Sequence, residues 1–516
     1  MEFNHPSEIV KNLNFGKDAK SKIMAGVDKL NKAVSSTLGA SGKCVIYEDG
    51  TGRPIITKDG VTVANSVILM DPAENIGATL IKEAAQKTVK EAGDGTTTST
   101  VLAHSILSNY NNSNLTNLRS IKNGINNAVK KVIKYLDKEA IPVKDEMLTH
   151  VANISTNNDY ELGNIIAGAY EKVGKDGVVL MEESEDDKTY TEIVDGVKFD
   201  SGIKSQYFIT DKEKNKVILD SPLVLLVDTE IETIRKIQSV LEYAIKNNRA
   251  ILIVGSVGQQ PLSALIMNKA KGNIKVNVID PPGFSNLRRE MLEDLAVVTG
   301  AQVINEDLGD DLDLIDASVL GEAVKVVTDE KDTIITTSNI NKETEERINI
   351  IQKQIKEEKN PYLLKKLQDR KAMLSGSVGV IYVGANSKVE LKEKKDRVED
   401  AIYAVKAALK EGIVPGAGVA LINAATSIKP SCPGEKILVD SIKAPFNKIL
   451  ENGGIKIPEK MTKGKGIDVV TGKQVRMISA GIIDPVLVTK TALKNAASVA
   501  TTIMSADCVI SNVREQ

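Results

Sequence analysis

The chain has 516 residues, 42% of them hydrophobic and 26% charged, and Lys+Arg 67 against Asp+Glu 69 leave a formal charge of −2. That near-balance supplies no basic field for nucleic acid and no acidic solvating tail, and the apolar fraction is too high for a disordered chain. At this length two to four domains are expected, each able to bury a core of its own.

In chain order, residues 8–140 read mostly as helix. Ser21 to Leu38 places Ile23, Val27, Leu30 and Val34 on one stripe, and Asn75 to Val89 does the same with Ile76, Leu80, Ile81 and Ala84. Between them lie two short strand-like stretches, Cys44–Tyr47 and Pro54–Thr57, and the turn Lys58-Asp59-Gly60. The middle of the chain changes character. Gly177–Met181 reads as a buried strand and the acidic run Glu182–Asp187 as a solvated loop. The apolar runs Leu223–Val227, Ile251–Val254 and Val276–Ile279 alternate with helical patterns over Glu232–Asn247 and Gln260–Lys271, which predicts an α/β layer with some parallel pairing. After Gly379–Gly384 the pattern is helical to the end, including Glu399–Leu409. The fold expected is a multidomain α/β one, with an α/β domain inserted into a discontinuous helical domain.

Cys44, Cys432 and Cys508 are odd in number and far apart, with no Cys-x-x-Cys, so neither a disulfide framework nor a thiolate zinc site is expected. His5, His104 and His150 lack the spacing of metal ligands. The opening Met1-Glu2-Phe3-Asn4-His5 shows no basic region followed by an apolar core, and no apolar run reaches the roughly 18–20 residues of a spanning helix. A reducing, aqueous compartment is the expectation, the cytoplasm or an organelle matrix if a transit peptide was removed, with no membrane partner. Aromatic residues are 3% of the chain and Trp is absent, so the core is expected to be Ile, Val, Leu and Ala on closely approaching helices.

The most informative segment is Ala92-Gly93-Asp94-Gly95-Thr96-Thr97-Thr98-Ser99-Thr100. A glycine-loosened turn that opens a helix presents free N–H groups and the positive end of the helix dipole, which suits phosphate. Asp94 is a carboxylate placed to hold Mg²⁺ there, because a hard cation takes carboxylate and phosphate oxygens together. Taken alone, the segment describes an N-capped helix after a tight turn more readily than a phosphate site. The three threonines weigh the other way, since β-branched residues gain nothing in propensity at a helix start. No Gly-x-x-x-x-Gly-Lys-Ser/Thr occurs, so an ordinary P-loop is disfavoured.

Gly93–Thr98 resembles the phosphate-binding signature of the group I chaperonins, the GroEL family. Thr37-Leu38-Gly39 and Ile56–Val61 resemble that family's first and second nucleotide turns, and Arg397–Ala401 the segment carrying its hydrolytic aspartate. Gly416–Leu421 resembles its glycine turn, and Gly481–Pro485 its site for base and sugar. The motifs occur in family order along nearly the whole chain. The resemblance implies an ATP-hydrolysing subunit of a homo-oligomeric ring of seven that captures non-native polypeptides and encloses them for folding under a lid co-chaperonin. It implies an all-helical equatorial domain (1–140 and 411–516), a small intermediate domain (141–194 and 379–410) and an inserted α/β apical domain (195–378). It further implies ATP contacts from Thr37, Leu38, Gly39, Lys58, Asp94, Gly95, Thr96, Thr97, Thr98, Gly416, Ala417, Asp468, Ile482 and Asp484. Mg²⁺ would sit on Asp94, and K⁺ near Thr37, Lys58 and Thr97. Asp59 and Asp400 would orient and deprotonate the attacking water.

In the apical part the resemblance assigns Ile203, Tyr207, Phe208, Leu241, Leu262, Ile266 and Met267 to client binding. Each stripe by itself describes core packing more readily than an exposed grip. The sequence also departs from the family. Ala40-Ser41 replace a Pro-Lys, Ala417 replaces the central glycine of a triple, Gln238 replaces a leucine and Ser377 a hinge glycine. Ser201 and Lys388 stand where an Arg–Glu pair commonly bridges subunits, while Asp159 and Arg397 retain an intermediate-domain pair. The family's Gly-Met tail is not seen after Val513–Gln516. Two other classes compete: a small-molecule ATP-dependent enzyme using the same loop, and a ring-forming holdase or scaffold with weak or altered ATP cycling. The first lacks any second concentration of catalytic residues, and retention of Asp59, Asp94 and Asp400 argues against the second. A group II chaperonin with a built-in lid is disfavoured, because no surplus segment lies between Lys271 and Asn277.

Overall fold

The computed structural model describes residues 10–512, apart from 114, 157, 175–176, 185, 213, 284–285, 338–341, 359, 375–376 and 459–460. The chain forms two compact units: Met1–Gly168 with Glu183–Thr189 and Val383–Gln516, and Ala169–Glu182 with Tyr190–Tyr382. The α/β layer is thus an insertion in a discontinuous, mainly helical unit, as the order of patterns predicts.

The helical unit packs Gly16–Ser35, Pro72–Ala92, Thr96–Asn112, Leu118–Glu139 and Val486–Ile503 around one core that buries Leu30, Ile81, Leu102, Ile106 and Leu136. Small residues set the spacing. A Cβ on Gly26 would lie 1.9 Å from the Glu74 carbonyl oxygen, and one on Gly77 2.3 Å from that of Ile23. Only glycine at these two sites lets the first two helices cross backbone to backbone. Asp71 starts the second helix by accepting from the N–H groups of Ala73 and Glu74, with Pro72 in its first turn, and Gly93 at φ 77° ends it. That ending delivers the chain into the 93–98 turn.

Four two-stranded ribbons add to the helices: Lys11–Phe15 with Cys508–Asn512, Val45–Glu48 with Pro54–Thr57, Ile413–Pro415 with Ile483–Pro485, and Lys465–Ile467 with Gln474–Arg476. The second matches its expected strands. The other three lie in segments read as helical or left unread, because strands of three to five residues are too short for a period of two to stand out.

In the second unit, Val303–Ile304, Leu223–Val227, Ile251–Val254 and Val276–Ile279 form a parallel sheet in that order, and Gly321–Glu322 pairs antiparallel with Leu223–Val227. The three long strands are buried along their whole length, the pattern of parallel strands covered on both faces. A six-stranded sheet runs in the order Val178–Glu183, Ser377–Val383, Tyr190–Phe199, Thr333–Thr337, Lys325–Thr328, Val217–Asp220. Its first strand extends through Glu182 and Glu183, so the acidic run begins inside the sheet; Glu182 sits 2.6 Å from the Lys325 ammonium, which offsets its charge.

Helices Asn286–Thr299, Lys342–Glu357 and Pro361–Leu374 meet at a buried ion cluster. Arg370 donates to both oxygens of Asp294 at 2.7 and 3.0 Å and to Glu290, while Arg347 reaches Asp294 at 2.7 Å and Glu293 at 3.0 Å. Asp294 is 0% exposed and Arg370 3%. Among the described residues Cys44, Cys432 and Cys508 are free thiols, and no helix is long and apolar enough to cross a membrane.

Candidate functional site

A cleft of about 660 Å³ opens in the helical unit, a volume in the range of cofactor-sized sites. Its wall collects segments from both ends of the chain. Of the predicted nucleotide residues it brings together Thr37, Leu38, Gly39, Lys58, Asp59, Asp94, Gly95, Thr96, Thr97, Thr98, Asp400, Ala417, Asp468, Ile482 and Asp484. Gly416 does not line it. A Cβ there would stand 2.8 Å from the Ile483 backbone, so its part is to let the Ile413–Pro415 and Ile483–Pro485 ribbon close behind the wall.

Local structure explains each placement. Gly95, at φ 97°, precedes helix Thr96–Asn112, and no side chain caps that helix, so its first-turn N–H groups face the cleft without a side-chain acceptor. This departs from the simple capped-helix reading and favours an anion. Asp59 caps the short helix Gly60–Ser66 instead, accepting from Val61 N–H at 3.1 Å and Thr62 N–H at 2.7 Å, which fixes its carboxylate. A Cβ on Gly60 would stand 2.3 Å from Thr97 Oγ1, so glycine brings the Thr97 hydroxyl against the Lys58–Gly60 turn. Asn452 donates to the carbonyls of Ser35 and Leu38 at 2.9 Å each and holds the Thr37–Gly39 turn. Ala417 adopts φ 52°, a left-handed conformation where a methyl is strained and a glycine would be at ease. Asp468 closes the turn after Lys465–Ile467, accepting from Val470 N–H and the Thr471 hydroxyl.

Asp400 reaches the cleft from helix Lys388–Glu411. Arg397, one turn earlier, donates to Asp159 and to the Thr156 carbonyl, both at 3.3 Å, and to Glu393 at 2.8 Å; the expected Asp159–Arg397 pair is present. The carboxylates keep some surface open to the cleft but are otherwise enclosed by protein. Burial, then the charges of Asp94 and Asp59, raises Asp400 well above the ordinary carboxylate range. Burial and Asp59 raise Asp94, against a hydrogen bond from Gly95 N–H. Burial and Asp94 push Asp484 up to about 7, although it accepts from the N–H groups of Gly418 and Ala417. Three acids that disfavour one another's ionisation leave a site short of positive charge.

No group of three or more His, Cys, Asp or Glu side chains among the described residues forms a cage for a metal. The donor set fits a cation of another kind. Asp94 supplies one carboxylate beside an anion-binding helix start, so Mg²⁺ would be shared between Asp94 and phosphate oxygens. Thr97 Oγ1 against the 58–60 turn supplies neutral oxygens of the kind K⁺ takes.

Sequence reasoning missed several lining residues, among them His150, Asn153, Tyr160, Asp396 and Ile449. His150, Asn153, Tyr160 and Ile449 belong to helices without a motif and Asp396 lies just before the Arg397–Ala401 motif, so only the fold reveals their facing.

The second candidate site, the apolar face of the inserted unit, needs correction. Phe208 is 0% exposed and Leu241 7%: both belong to the core beneath the parallel sheet and cannot grip a client in this conformation. An apolar stripe does not say which of its residues point inward. Tyr207 and Met267 are 75% and 58% exposed, and Ile203, Leu262 and Ile266 are half-buried against the same core. Gln238 donates to Glu242 at 2.6 Å on the helix Gln238–Lys246, which follows directly on a 3-10 turn, Ile234–Ile237. Helix Gln259–Ala270 carries Leu262, Ile266 and Met267 and buries Leu265.

Residues 30–514 match the model of the TCP-1/cpn60 chaperonin family. Among solved structures the chain is similar to the chaperonin gp146 from the bacteriophage EL 2 (Pseudomonas aeruginosa), crystallised in the presence of ATP-BeFx in two forms. For one form the TM-score is 0.70 with 23% identity, over 98% of this chain and 99% of that one. For the other it is 0.65 with 22% identity at the same coverage. At these identities the likeness shows the fold.

Proposed function

The chain belongs to the TCP-1/cpn60 chaperonin family as a divergent group I member, and from that premise we propose that it is a subunit of an ATP-driven folding ring. The convergence of Asp59, Asp94 and Asp400 on one cleft carries this reading, since they come from three separate segments. Hydrolysis of a γ-phosphate needs positioning, charge neutralisation and an acceptor for the water's proton. The uncapped start of helix Thr96–Asn112 with the hydroxyls of Thr97 and Thr98 holds the phosphates. Asp94 would hold Mg²⁺, which would supply the positive charge that the acidic cleft lacks. Asp59, fixed by its capping bonds, orients the water. Asp400, in its ionised form, takes the proton; burial and the neighbouring carboxylates raise its affinity for it. Thr37, Lys58 and Thr97 would hold K⁺, which would add to the neutralisation. The bacteriophage chaperonin crystallised in the presence of ATP-BeFx, which supports nucleotide binding here.

Assembly is supported by two ribbons with free edges. Ile46 and Ile56 are 68% and 56% exposed on one, and Leu13, Phe15 and Ile510 are exposed on the other. Unpaired strand edges with apolar side chains suit pairing between copies. A homo-oligomeric ring of seven in the cytoplasm, divided at the equatorial, intermediate and apical boundaries given above, remains our reading. The family's intersubunit pair has no counterpart: Ser201 is buried and donates to the Asp280 carbonyl, and Lys388 is exposed, so ring cooperativity is altered. Only five residues, 271–275, separate helix Gln259–Ala270 from strand Val276–Ile279, which leaves no room for a built-in lid there and supports a detachable lid co-chaperonin.

Non-native polypeptides bind at Tyr207 and Met267, with Ile203, Leu262 and Ile266 as the apolar floor. A ring of such patches gives multivalent, sequence-tolerant capture. The variant Leu262→Ser with Met267→Glu is expected to lower capture of a chemically denatured client by about tenfold, read by co-sedimentation with the ring. Unchanged capture would place the client face elsewhere.

A further inference from the structure

His150 lies on helix Asp145–Ser155, outside every motif that the nucleotide reading uses. The helix packs against helix Lys388–Glu411 and against strand Ile483–Pro485. Its imidazole seats on Gly481: a Cβ there would stand 2.6 Å from Nδ1, 2.9 Å from Cγ and 3.0 Å from Cε1. Gly481 also holds φ 72°, so the position excludes a side chain on two grounds, and the ring occupies the place that one would take. His150 is nevertheless exposed and lines the cleft.

The two ends of the cleft differ in chemistry. Asp59, Asp94, Asp400 and the start of helix Thr96–Asn112 form the charged end. Ala417, Ile467, Val469 and Ile482 also line the cleft, and they pack on a separate apolar cluster of Val419, Phe446, Leu450 and Met477. A nucleotide entering phosphate-first places its flat base at that apolar end. His150 packs on Gly481, the residue before Ile482 in the chain.

We propose that His150 is the specificity-determining wall of the base subsite: its imidazole, propped on Gly481, covers one face of a bound purine. This rests on the nucleotide reading above. A planar ring against a planar base favours adenine over open water without a hydrogen-bond code. Because the ring comes from helix Asp145–Ser155, base contact also favours the arrangement in which that helix and helix Lys388–Glu411 lie over the cleft. His150 is a positioning residue, since it touches the base and not the reacting phosphate.

The test is steady-state hydrolysis by the full chain with ATP and with CTP for the wild type, His150→Ala, His150→Phe and Gly481→Ala. In His150→Ala the KM for ATP is expected to rise about tenfold, with kcat changed by less than about twofold and a narrower ATP-to-CTP preference. His150→Phe should restore most of the affinity, because it keeps a flat ring. Gly481→Ala should raise KM in the same direction by displacing the imidazole. An active wild type with unchanged KM and base preference in His150→Ala overturns the role of His150 alone. A wild type that binds no ATP overturns the nucleotide reading as well.

Discussion

Asp400→Ala is expected to bind ATP with near-normal affinity and to hydrolyse it roughly 10²- to 10⁴-fold more slowly, the usual contribution of a positioned general base. Asp400 projects from helix Lys388–Glu411 into a cleft that already holds Asp59 and Asp94, and burial together with those two charges raises it well above the ordinary carboxylate range. Its ionised form is costly there, which makes it a strong proton acceptor. Alanine removes the acceptor but leaves the phosphate-facing turn at residues 95–98 in place, so binding is preserved while chemistry fails. Fluorescence titration with a labelled nucleotide and single-turnover hydrolysis separate the two effects. Near-normal turnover would remove Asp400 from the mechanism.

Arg370→Ala is expected to destabilise the inserted unit by about 3–5 kcal/mol, the cost of leaving a buried charge without its partner. Asp294 is 0% exposed and loses both bonds from Arg370, keeping only the one from Arg347. Replacing both members, Arg370→Met with Asp294→Leu, should recover most of the loss, because an apolar pair carries no desolvation penalty. Urea unfolding of the full chain followed by circular dichroism measures this. A loss under about 1 kcal/mol in Arg370→Ala would mean that Asp294 takes up a proton or water in compensation. The cluster's role is mechanical: it ties helices Lys342–Glu357 and Pro361–Leu374 to helix Asn286–Thr299.

Legibility in the sequence followed signal length. Leu223–Val227, Ile251–Val254 and Val276–Ile279 were readable because uninterrupted apolar runs of that size suit strands covered on both faces. The Gly93–Thr98 turn stood out because three consecutive threonines gain nothing in propensity at a helix start, although by itself it reads as well as a capped helix. The ribbon Ile413–Pro415 with Ile483–Pro485 was not, since two three-residue strands about seventy residues apart in the chain carry no local period. Phe208 and Leu241 misled for a different reason. Apolar periodicity identifies a buried or sticky face but not which of the two it is, and both side chains turned inward. His150 had no signal at all. Its facing depends on Gly481, more than three hundred residues away in the chain, and only tertiary packing joins them.

Ala417 shows the converse, a local departure whose meaning the fold supplies. The sequence marks an alanine where a glycine is usual, and the backbone there is left-handed at φ 52°. The strain is local to a turn whose Ala417 and Gly418 N–H groups donate to Asp484, so those bonds are kept at an energetic cost of roughly 1–2 kcal/mol.

A structure of the full chain with Mg²⁺ and a non-hydrolysable ATP analogue tests the central claim most directly. The expected map has the phosphates against residues 95–98, the Asp94 carboxylate on the metal, and Asp59 and Asp400 both facing the γ-phosphate. Nucleotide bound outside this cleft, or a γ-phosphate that either Asp59 or Asp400 cannot reach, would contradict it.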